Sequence, residues 1–360
     1  MVIKKILLVV ISIFFTILFI EIFLRIFYPQ AKSESWRIQN DYGLYLNKNK
    51  GTATHEYINN EHNVHIKVNY SFGKYHNRII KNDIYKKESK KILVLGDSVV
   101  FGWLIKDDDT FVSLLQDEFK NFYFINSAAG GLGDSDQAVF LNNYCKSINP
   151  EKILLFMDLE RFKYSHFFTL DKNNDLVFTK QEINKIKIAL NNSNFYNFLI
   201  QNTHFIQIVK NFYVLQSDKN HINSVSKKNH GSINNIDAIT RYDYDNAEIK
   251  KNFSTSNKDY ILIKKIINQI YKESKDCGSE IYFIHLGFFD TDLSNYVIEN
   301  FYNMFELKEK INFITIKEKI SIIKKNQKNY LIKAEGHPNA EANYIIYKAL
   351  RESLEKILSN

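Results

Sequence analysis

The sequence predicts an α/β protein in which helices cover both faces of a parallel sheet. Short apolar runs rich in branched side chains recur along the chain, as in strands buried on both faces. Amphipathic segments of helical period separate these runs, which favours parallel strands joined by right-handed crossovers. The 360 residues are 45% hydrophobic and 14% aromatic, which is enough for one large core and excludes a disordered chain.

The predicted elements alternate, so we expect a three-layer α/β/α arrangement around about five parallel strands. The predicted strands are residues 91–96, 122–126, 152–159, 280–288 and 311–316. The predicted helices are residues 110–119, 135–148, 258–274 and 340–358. Thr110 is the expected N-cap of the first of these helices, and Asn149-Pro150 should end the second.

The first thirty residues predict a transmembrane helix. Ile6–Ile20 carries no charge, and the apolar stretch continues to Tyr28, which is long enough to cross a bilayer. Glu21 and Arg25 lie four residues apart and can pair on one face. Without a small-residue cleavage site, residues 1–30 are expected to remain as a signal anchor. Lys4 and Lys5 favour a cytoplasmic N-terminus, with the rest on the periplasmic or cell-surface side of a bacterial membrane.

Three further regions are expected after the anchor. Residues 31–88 show little periodicity and are interpreted as a loosely packed connector. Residues 89–360 form the main domain. An insertion at about 165–255 interrupts its alternation, first with an apolar helical segment and then with a polar one. This insertion is expected to cover one face of the domain, as a lid would.

Cofactors, metals and nucleic acid are not expected. The net charge is +8, but the lysines are interleaved with acids, and no arginine-rich stripe or nucleic-acid motif occurs. Asp107–Asp109 is expected to be a solvated loop rather than a cation site. Cys145 and Cys277 belong to no Cys-x-x-Cys motif or Cys/His cluster, which argues against structural zinc. Their spacing cannot establish a disulfide, and free buried thiols are expected.

Residues suited to acyl transfer follow the predicted strands, where open α/β sheets place their sites. Ser98 follows Gly96-Asp97 at the end of the first strand. Alone, this tripeptide fits a turn or helix cap equally well. His337, on the loop before the last helix, could serve as the base that a serine hydroxyl needs, and Glu335 could orient its imidazole. Bare backbone at Gly130, Gly131 and Gly133 could aim an N–H group into a pocket.

Several segments together resemble the SGNH, or GDSL-type, hydrolase superfamily, including its membrane-anchored bacterial members. They are GDSVVFG (96–102), the N-x-x-x-G-G-x-G pattern of 126–133, GHPNA (336–340), NYSFGKYHNR (69–78) and IEIFLRIFYP (20–29). The resemblance covers about residues 70–350, apart from the insertion, and implies a flavodoxin-like fold.

By this resemblance Ser98 is the nucleophile and His337 is the base. The N–H groups of Ser98 and Gly131 would form the oxyanion hole, with Asn126 anchoring the glycine loop and Asp97 and Gly130 in support. The chain departs from the family pattern at two positions. The asparagine expected after the third strand is missing from residues 157–161, and the acid expected three residues before the histidine is replaced by Ala334. Glu335 is therefore the candidate acid.

The expected function is that of a membrane-anchored extracytoplasmic serine esterase. Its substrate would carry an acyl group, most plausibly acetyl, on a glycan or lipid. One alternative is an O-acyltransferase that modifies a cell-surface polysaccharide through the same serine. A second alternative is a weak or inactive SGNH-like binding or assembly protein, which the missing asparagine favours and the Ser98–His337 pair opposes.

Overall fold

The computed structural model describes residues 2–80, 89–157, 159, 167–183, 185–212, 257–287, 294–305 and 311–358. These residues fall into two compact units. The smaller unit comprises Met1–Ser35, Ala53–Val68 and Ile186–Ile236. The larger unit comprises Trp36–Thr52, Asn69–Lys185 and Asp237–Asn360.

The strands and helices have the following bounds along the chain. The strands are β1 (Arg37–Gln39), β2 (Tyr45–Asn47), β3 (Gly51–Asn59), β4 (Val64–Gly73), β5 (Asn77–Arg78), β6 (Lys90–Leu95), β7 (Phe122–Asn126), β8 (Lys152–Met157), β9 (Phe168–Leu170), β10 (Leu176–Phe178), β11 (Glu280–His285) and β12 (Asn312–Thr315). The helices are α1 (Val2–Phe27), α2 (Ser98–Phe101), α3 (Phe111–Glu118), α4 (Asp134–Ile148), α5 (Lys185–Asn192), α6 (Asn194–Asn202), α7 (204–212), α8 (Lys258–Asp276), α9 (Ser294–Tyr302), α10 (Ser321–Lys325), α11 (Gln327–Tyr330) and α12 (Ala340–Leu358).

A mostly parallel sheet forms the centre of the larger unit. Its strands are hydrogen-bonded in the order β12-β11-β8-β6-β7-β5-β4. The neighbours from β12 to β7 are parallel, whereas β5 pairs antiparallel with β7 and β4. Numbered by chain order, the five parallel strands run 2-1-3-4-5, the flavodoxin-like order. The predicted α/β class with about five parallel strands is therefore confirmed.

Helices cover both faces of this sheet because successive strand residues point to opposite sides. On one face Leu93, Leu95 and Phe283 belong to an apolar cluster with residues of α4 and α8. On the other face Phe156 packs on Phe111 of α3, with 5.4 Å between ring centroids. Thr110 caps α3 as expected, since its hydroxyl accepts a hydrogen bond from Ser113 N–H.

Residues 36–78 lie within the range interpreted as a connector, and in the structure they contain strands with buried side chains. Trp36, Leu46, Tyr70 and Phe72 are each at most 7% exposed. Several of these strands have only two or three residues, which is too short to produce a recognisable alternation. Strand β4 is longer, and its apolar residues alternate with polar ones from Val64 to Phe72, a pattern that the interpretation as a connector overlooked.

The expectation of free thiols is wrong, because Cys145 and Cys277 form a disulfide. Cys145 lies in the last turn of α4, and Cys277 is the C-cap of α8. The two helices pack together in the core, which brings the Cα atoms to 6.0 Å. That proximity depends on the packing of two helices far apart in sequence, which residue spacing does not reveal.

The smaller unit contains α1 and the helical part of the insertion. Ile3–Phe27 is long and apolar enough to cross a membrane. The predicted Glu21–Arg25 pair is present, with 2.8 Å between Arg25 Nε and Glu21 Oε1. The apolar helical segment of the insertion forms α6 and α7, which are separated at Thr203. Its polar part lies outside the described residues, so the expectation that the insertion covers one face of the domain stays a prediction.

Candidate active site

Ser98 is the first residue of α2, directly after the end of strand β6. The carboxylate of Asp97 accepts a hydrogen bond from Val99 N–H at 2.9 Å, so Asp97 is the N-cap of this short helix. The Ser98 side chain is half-exposed, whereas the next three residues of α2 are buried. Strand β6 lies between β7 and β8, where the order of the parallel strands reverses. Sheets of this type place their ligand sites at that crevice.

Ser98, His337 and Glu335 form a continuous hydrogen-bonded chain. Nε2 of His337 lies 2.8 Å from Oγ of Ser98. Nδ1 of the same ring lies 2.8 Å from both carboxylate oxygens of Glu335. The histidine and glutamate side chains are 22% and 12% exposed. This arrangement of hydroxyl, imidazole and carboxylate can remove a proton from the serine and stabilise the resulting imidazolium.

The backbone around His337 explains how Glu335 reaches the ring from two residues upstream. Ala334 adopts a left-handed φ of 61°, which turns the chain back before the glutamate. Leu331 and Pro338 form an isolated antiparallel bridge that closes the loop. Oε2 of Glu335 also accepts a hydrogen bond from His337 N–H at 3.0 Å. The carboxylate is therefore held against both the backbone and the ring of the histidine.

The glycine loop after β7 approaches the same site. Gly131 has a φ of +74°, a conformation that a side chain would strain. A Cβ atom on Gly130 would lie 3.0 Å from the Trp103 ring and 3.9 Å from Ser98 Cβ. Asn126 is fully buried, and its side chain donates to Val100 O in α2 and accepts from Ala128 N–H. Asn126 thus connects the glycine loop to the helix that carries Ser98.

A tryptophan that no motif indicated, Trp103, lies beside the histidine. The ring centroid of Trp103 is 5.8 Å from that of His337. A second tryptophan, Trp36, packs on Trp103 with 5.6 Å between ring centroids. Trp103 directly follows the GDSVVFG motif, and its proximity to that motif is the only signal in the sequence that could have identified it. Half-exposed, Trp103 gives the site an aromatic wall.

A cation, Arg37, lies beside the glycine loop. Its Nη1 atom would be 3.4 Å from a Cβ atom on Gly131. Burial lowers the pKa of the Arg37 guanidinium, and the electrostatic interactions with Asp136 and Tyr45 oppose that shift. Asp136 in turn accepts a hydrogen bond from Gly133 N–H at 2.7 Å. No motif marks Arg37, because only the folding of β1 within the larger unit brings it near the loop.

Arg78 holds the segment that follows α2. Its side chain is fully buried and donates hydrogen bonds to the carbonyl groups of Phe101, Gly102 and Ile105. Its Nε donates to Asp107 Oδ1 at 2.7 Å. The expectation that Asp107 is solvated is therefore wrong, since this carboxylate is the partner of a buried guanidinium. Arg78 ends the NYSFGKYHNR segment, which explains the position of an arginine there.

Leu159 lies where the family pattern places the missing asparagine, and it cannot replace that hydrogen-bond donor. Its side chain is apolar and fully buried in the core. Its neighbours at 158 and 160–161 lie outside the described residues. In the part of the chain that the structure describes, no group of three or more His, Cys, Asp or Glu residues could hold a metal ion.

No family model matches this sequence, and no curated protein is significantly similar to it. Solved structures with a similar course of the chain include a psychrotrophic esterase from Pseudoalteromonas sp., with 11% identity and a TM-score of 0.40, covering 76% of this chain and 100% of that one. An acetyl xylan esterase has 12% identity and a TM-score of 0.37, covering 73% and 98%.

A lipolytic protein of the G-D-S-L family from Veillonella parvula has 11% identity and a TM-score of 0.37, covering 73% of this chain and 97% of that one. A salicylyl-acyltransferase from a tetracycline biosynthetic pathway has 9% identity and a TM-score of 0.35, covering 80% and 58%. Because identities are this low and TM-scores lie below 0.5, the chemistry of the present chain has to be inferred from its own site.

Proposed function

We propose that this chain is a serine esterase of the SGNH type that acts through Ser98, His337 and Glu335. The observation that carries the proposal is the hydrogen-bonded chain from Ser98 Oγ through His337 to Glu335, with 2.8 Å at each link. Ser98 and His337 are 239 positions apart in sequence, and Glu335 lies two positions before His337. Such a convergence is what a nucleophile, its base and an orienting acid require.

In the proposed reaction the Ser98 oxygen attacks the carbonyl carbon of an ester while His337 Nε2 takes the hydroxyl proton. Glu335 stabilises the imidazolium that forms. The tetrahedral intermediate then collapses, and His337 returns the proton to the departing alcohol. Water repeats the sequence on the acyl-serine, with His337 again as the base, and releases the carboxylic acid.

The negative charge on the tetrahedral oxygen needs donors that are already oriented. We assign this role to the N–H groups of Ser98 and Gly131. Arg37, beside Gly131, would supply positive charge on the side of the glycine loop. Because its guanidinium is partly desolvated, that charge would act more strongly than it would in water. Arg37 could therefore offset the absence of the asparagine that the family pattern would place near Leu159.

The proposed location is a membrane, with the larger unit on its extracytoplasmic side. The apolar helix Ile3–Phe27 supports the anchor, and Lys4 and Lys5 before it favour a cytoplasmic N-terminus. The Cys145–Cys277 disulfide supports the orientation, because disulfides persist in oxidising compartments and are rare in the cytosol. Its presence also supports a compartment outside the cytoplasm independently of the charge pattern.

The proposed substrate is an acyl ester, specifically an acetyl ester, of a glycan or lipid near that membrane. The anchor supports a substrate close to the bilayer. The half-exposed Trp103 beside His337 supports a partner with an apolar ring face, such as a sugar. An acceptor hydroxyl in place of water would make the same acyl-serine an O-acyltransferase intermediate.

The proposal is tested by covalent labelling of the purified full-length chain with a fluorophosphonate. Wild type should be labelled and Ser98→Ala should not, because only an activated serine attacks the probe. Ser147→Ala is the matched control, since Ser147 is exposed and its hydroxyl merely donates to Tyr144 O; labelling of this variant should equal wild type. Unlabelled wild type with a native melting transition would instead favour the binding or assembly alternative.

Hydrolysis and transfer are separated by the fate of the acyl group. With an aryl acetate as donor, an esterase releases acetate in buffer alone. A transferase consumes the donor quickly only when a glycan acceptor is added, and the acetyl group then appears on the glycan.

A further inference from the structure

The insertion helices of the smaller unit expose an unusual amount of apolar surface. Among the described residues of 186–212, six large apolar side chains are 42–74% exposed: Ile186, Leu190, Phe195, Phe198, Val209 and Phe212. Single exposed apolar residues are common on soluble proteins, but a contiguous group indicates a binding surface.

The exposed side chains form one stripe on each helix. Ile186 and Leu190 are four residues apart on α5, Phe195 and Phe198 are three apart on α6, and Val209 and Phe212 are three apart on α7. Residues at these spacings share one helix face. The opposite face packs inward, as shown by Ile200 of α6 and Gln207 of α7, which are at most 1% exposed. These helices are therefore amphipathic, with their outward faces apolar.

The joint between α6 and α7 is fixed to the end of the apolar helix α1. Arg25 Nη2 donates to Asn202 O, the last residue of α6, at 2.7 Å. The carboxylate of Glu21 accepts from the N–H groups of His204 and Phe205 at 3.1 and 3.0 Å, so it caps α7. The two charged residues of the otherwise apolar stretch Ile6–Phe27 thus hold the α6–α7 joint.

The position of this joint along α1 corresponds to a membrane boundary. Lys5 and Glu21 are separated by 16 residues, which is about 24 Å at the α-helical rise. The hydrocarbon core of a bilayer is roughly 30 Å thick. With the lysines at one interface, Glu21 and the joint lie near the opposite one. Of residues 3–27, only Ile20, Glu21 and Leu24 are partly covered, so the rest of α1 is open to lipid.

The charges of the insertion helices also suit a lipid partner. Residues 186–212 contain no aspartate or glutamate. A surface without carboxylates meets no repulsion from anionic headgroups. A soluble protein partner would place no such restriction on the sign of the charge.

We propose that α5, α6 and α7 form an interfacial membrane-binding surface, with the exposed apolar stripes inserted into the headgroup region beside α1. The inference rests on the proposed anchor, because α1 sets the level of the surface. Interfacial helices of this kind bury their apolar face to a depth of about 5–10 Å. The bilayer would then hold the smaller unit at two places, through the length of α1 and through the surface around its end.

Depth-dependent quenching tests the proposal in the full-length chain reconstituted in nanodiscs of phosphatidylcholine and phosphatidylglycerol. An environment-sensitive fluorophore is attached, without reductant so that the Cys145–Cys277 bond stays intact, to Phe198→Cys or Phe212→Cys. Asn211→Cys is the matched control, since Asn211 is exposed on α7 but points about 100° away from Phe212. Phe14→Cys reports the anchor itself.

Lipids with a nitroxide near the headgroup should quench the labels at 198 and 212 several-fold more than the label at 211. A water-soluble quencher should show the reverse order. Lipids with a deep nitroxide should quench the label at 14.

The inference would be overturned, with the anchor still supported, if lipid quenched the label at 14 while only the water-soluble quencher reached the labels at 198 and 212. Labels at 198 and 212 that resist both quenchers would mean that a protein covers the stripes, which also overturns it. No lipid quenching at 14 would remove the anchor and the inference together.

Discussion

At the scale of single residues, Glu335 shows what a motif can and cannot specify. The sequence identified it as the candidate acid because Ala334 occupies the usual position. Whether a glutamate two residues before the histidine can reach the ring depends on backbone direction, and the left-handed φ of Ala334 supplies it. That conformation is uncommon outside glycine and asparagine, so nothing in the sequence pattern could have predicted it.

Glu335→Gln should lower kcat by roughly 1,000-fold or more, because a neutral amide neither stabilises the imidazolium nor enforces the correct tautomer. Burst kinetics with an aryl acetate measure this loss at the acylation step. Glu341→Gln, on the first turn of α12, should leave kcat unchanged. If Glu335→Gln retained full kcat, the glutamate would be a structural ligand of the histidine loop and would take no part in proton transfer.

Arg37 is a charged residue beside the candidate site that no sequence motif indicated. Arg37→Met keeps much of the side-chain volume but removes the charge, and we expect kcat to fall about 100-fold, comparable to the loss of one oxyanion donor. Arg37→Lys should recover part of this loss, since it restores the charge without the guanidinium geometry.

Steady-state kinetics on both variants test the role of Arg37, with melting curves to show that each is folded. A role in stabilising the tetrahedral oxygen lowers kcat and changes KM little. A rise in KM at constant kcat would contradict this role and would indicate that Arg37 binds an anionic part of the substrate.

At the scale of elements, the accuracy of the sequence analysis follows the length and burial of each segment. The strands from β6 to β12 in the central sheet and the helices α3, α4, α8 and α12 were recognisable because long apolar or amphipathic runs have a clear period. Strands β1, β2 and β5 were not, because two or three residues show no alternation. Strand β4 does alternate from Val64 to Phe72, and it was missed because residues 31–88 were interpreted as a connector. The separation of α6 from α7 at Thr203 was also missed, since the cap of α7 is Glu21, a residue of α1 that accepts from His204 N–H.

The disulfide links two elements at the end of the sheet away from Ser98. It joins the end of α4 to the end of α8, just before β8 and β11 begin. Replacing both cysteines by alanine should lower the free energy of unfolding, because the bond closes a loop of 132 residues. The chain-entropy model gives about 5 kcal/mol for such a loop, and measured losses are typically about 2–4 kcal/mol.

Thermal unfolding of Cys145→Ala/Cys277→Ala measures this loss as a lower Tm, and reduction of the wild type should reproduce it. Probe labelling at a temperature where both proteins are folded should stay the same, because the bond is remote from the site. An unchanged Tm would show that the packing of α4 on α8 holds these elements without the covalent link.

At the scale of the whole molecule, the sheet topology joins contributions that lie far apart in sequence. The parallel sheet was predictable from the alternation of strands and helices, and the candidate site residues were proposed from motifs at the strand ends. The arrangement around the site was not, since Trp36 and Arg37 come from a segment that precedes the sheet. Arg78 likewise reaches the end of α2 only because β5 pairs with β7.

The separation of 239 residues between Ser98 and His337 also has a consequence for biosynthesis. Ser98 is synthesised early and His337 late. A nascent chain therefore carries the serine hydroxyl without its histidine partner while most of the polypeptide is still being synthesised. In the proposed reaction, acylation can begin only after residues 335–337 have left the ribosome and the last helix has packed in place. The order of synthesis therefore leaves Ser98 without its proposed base until the chain is nearly complete.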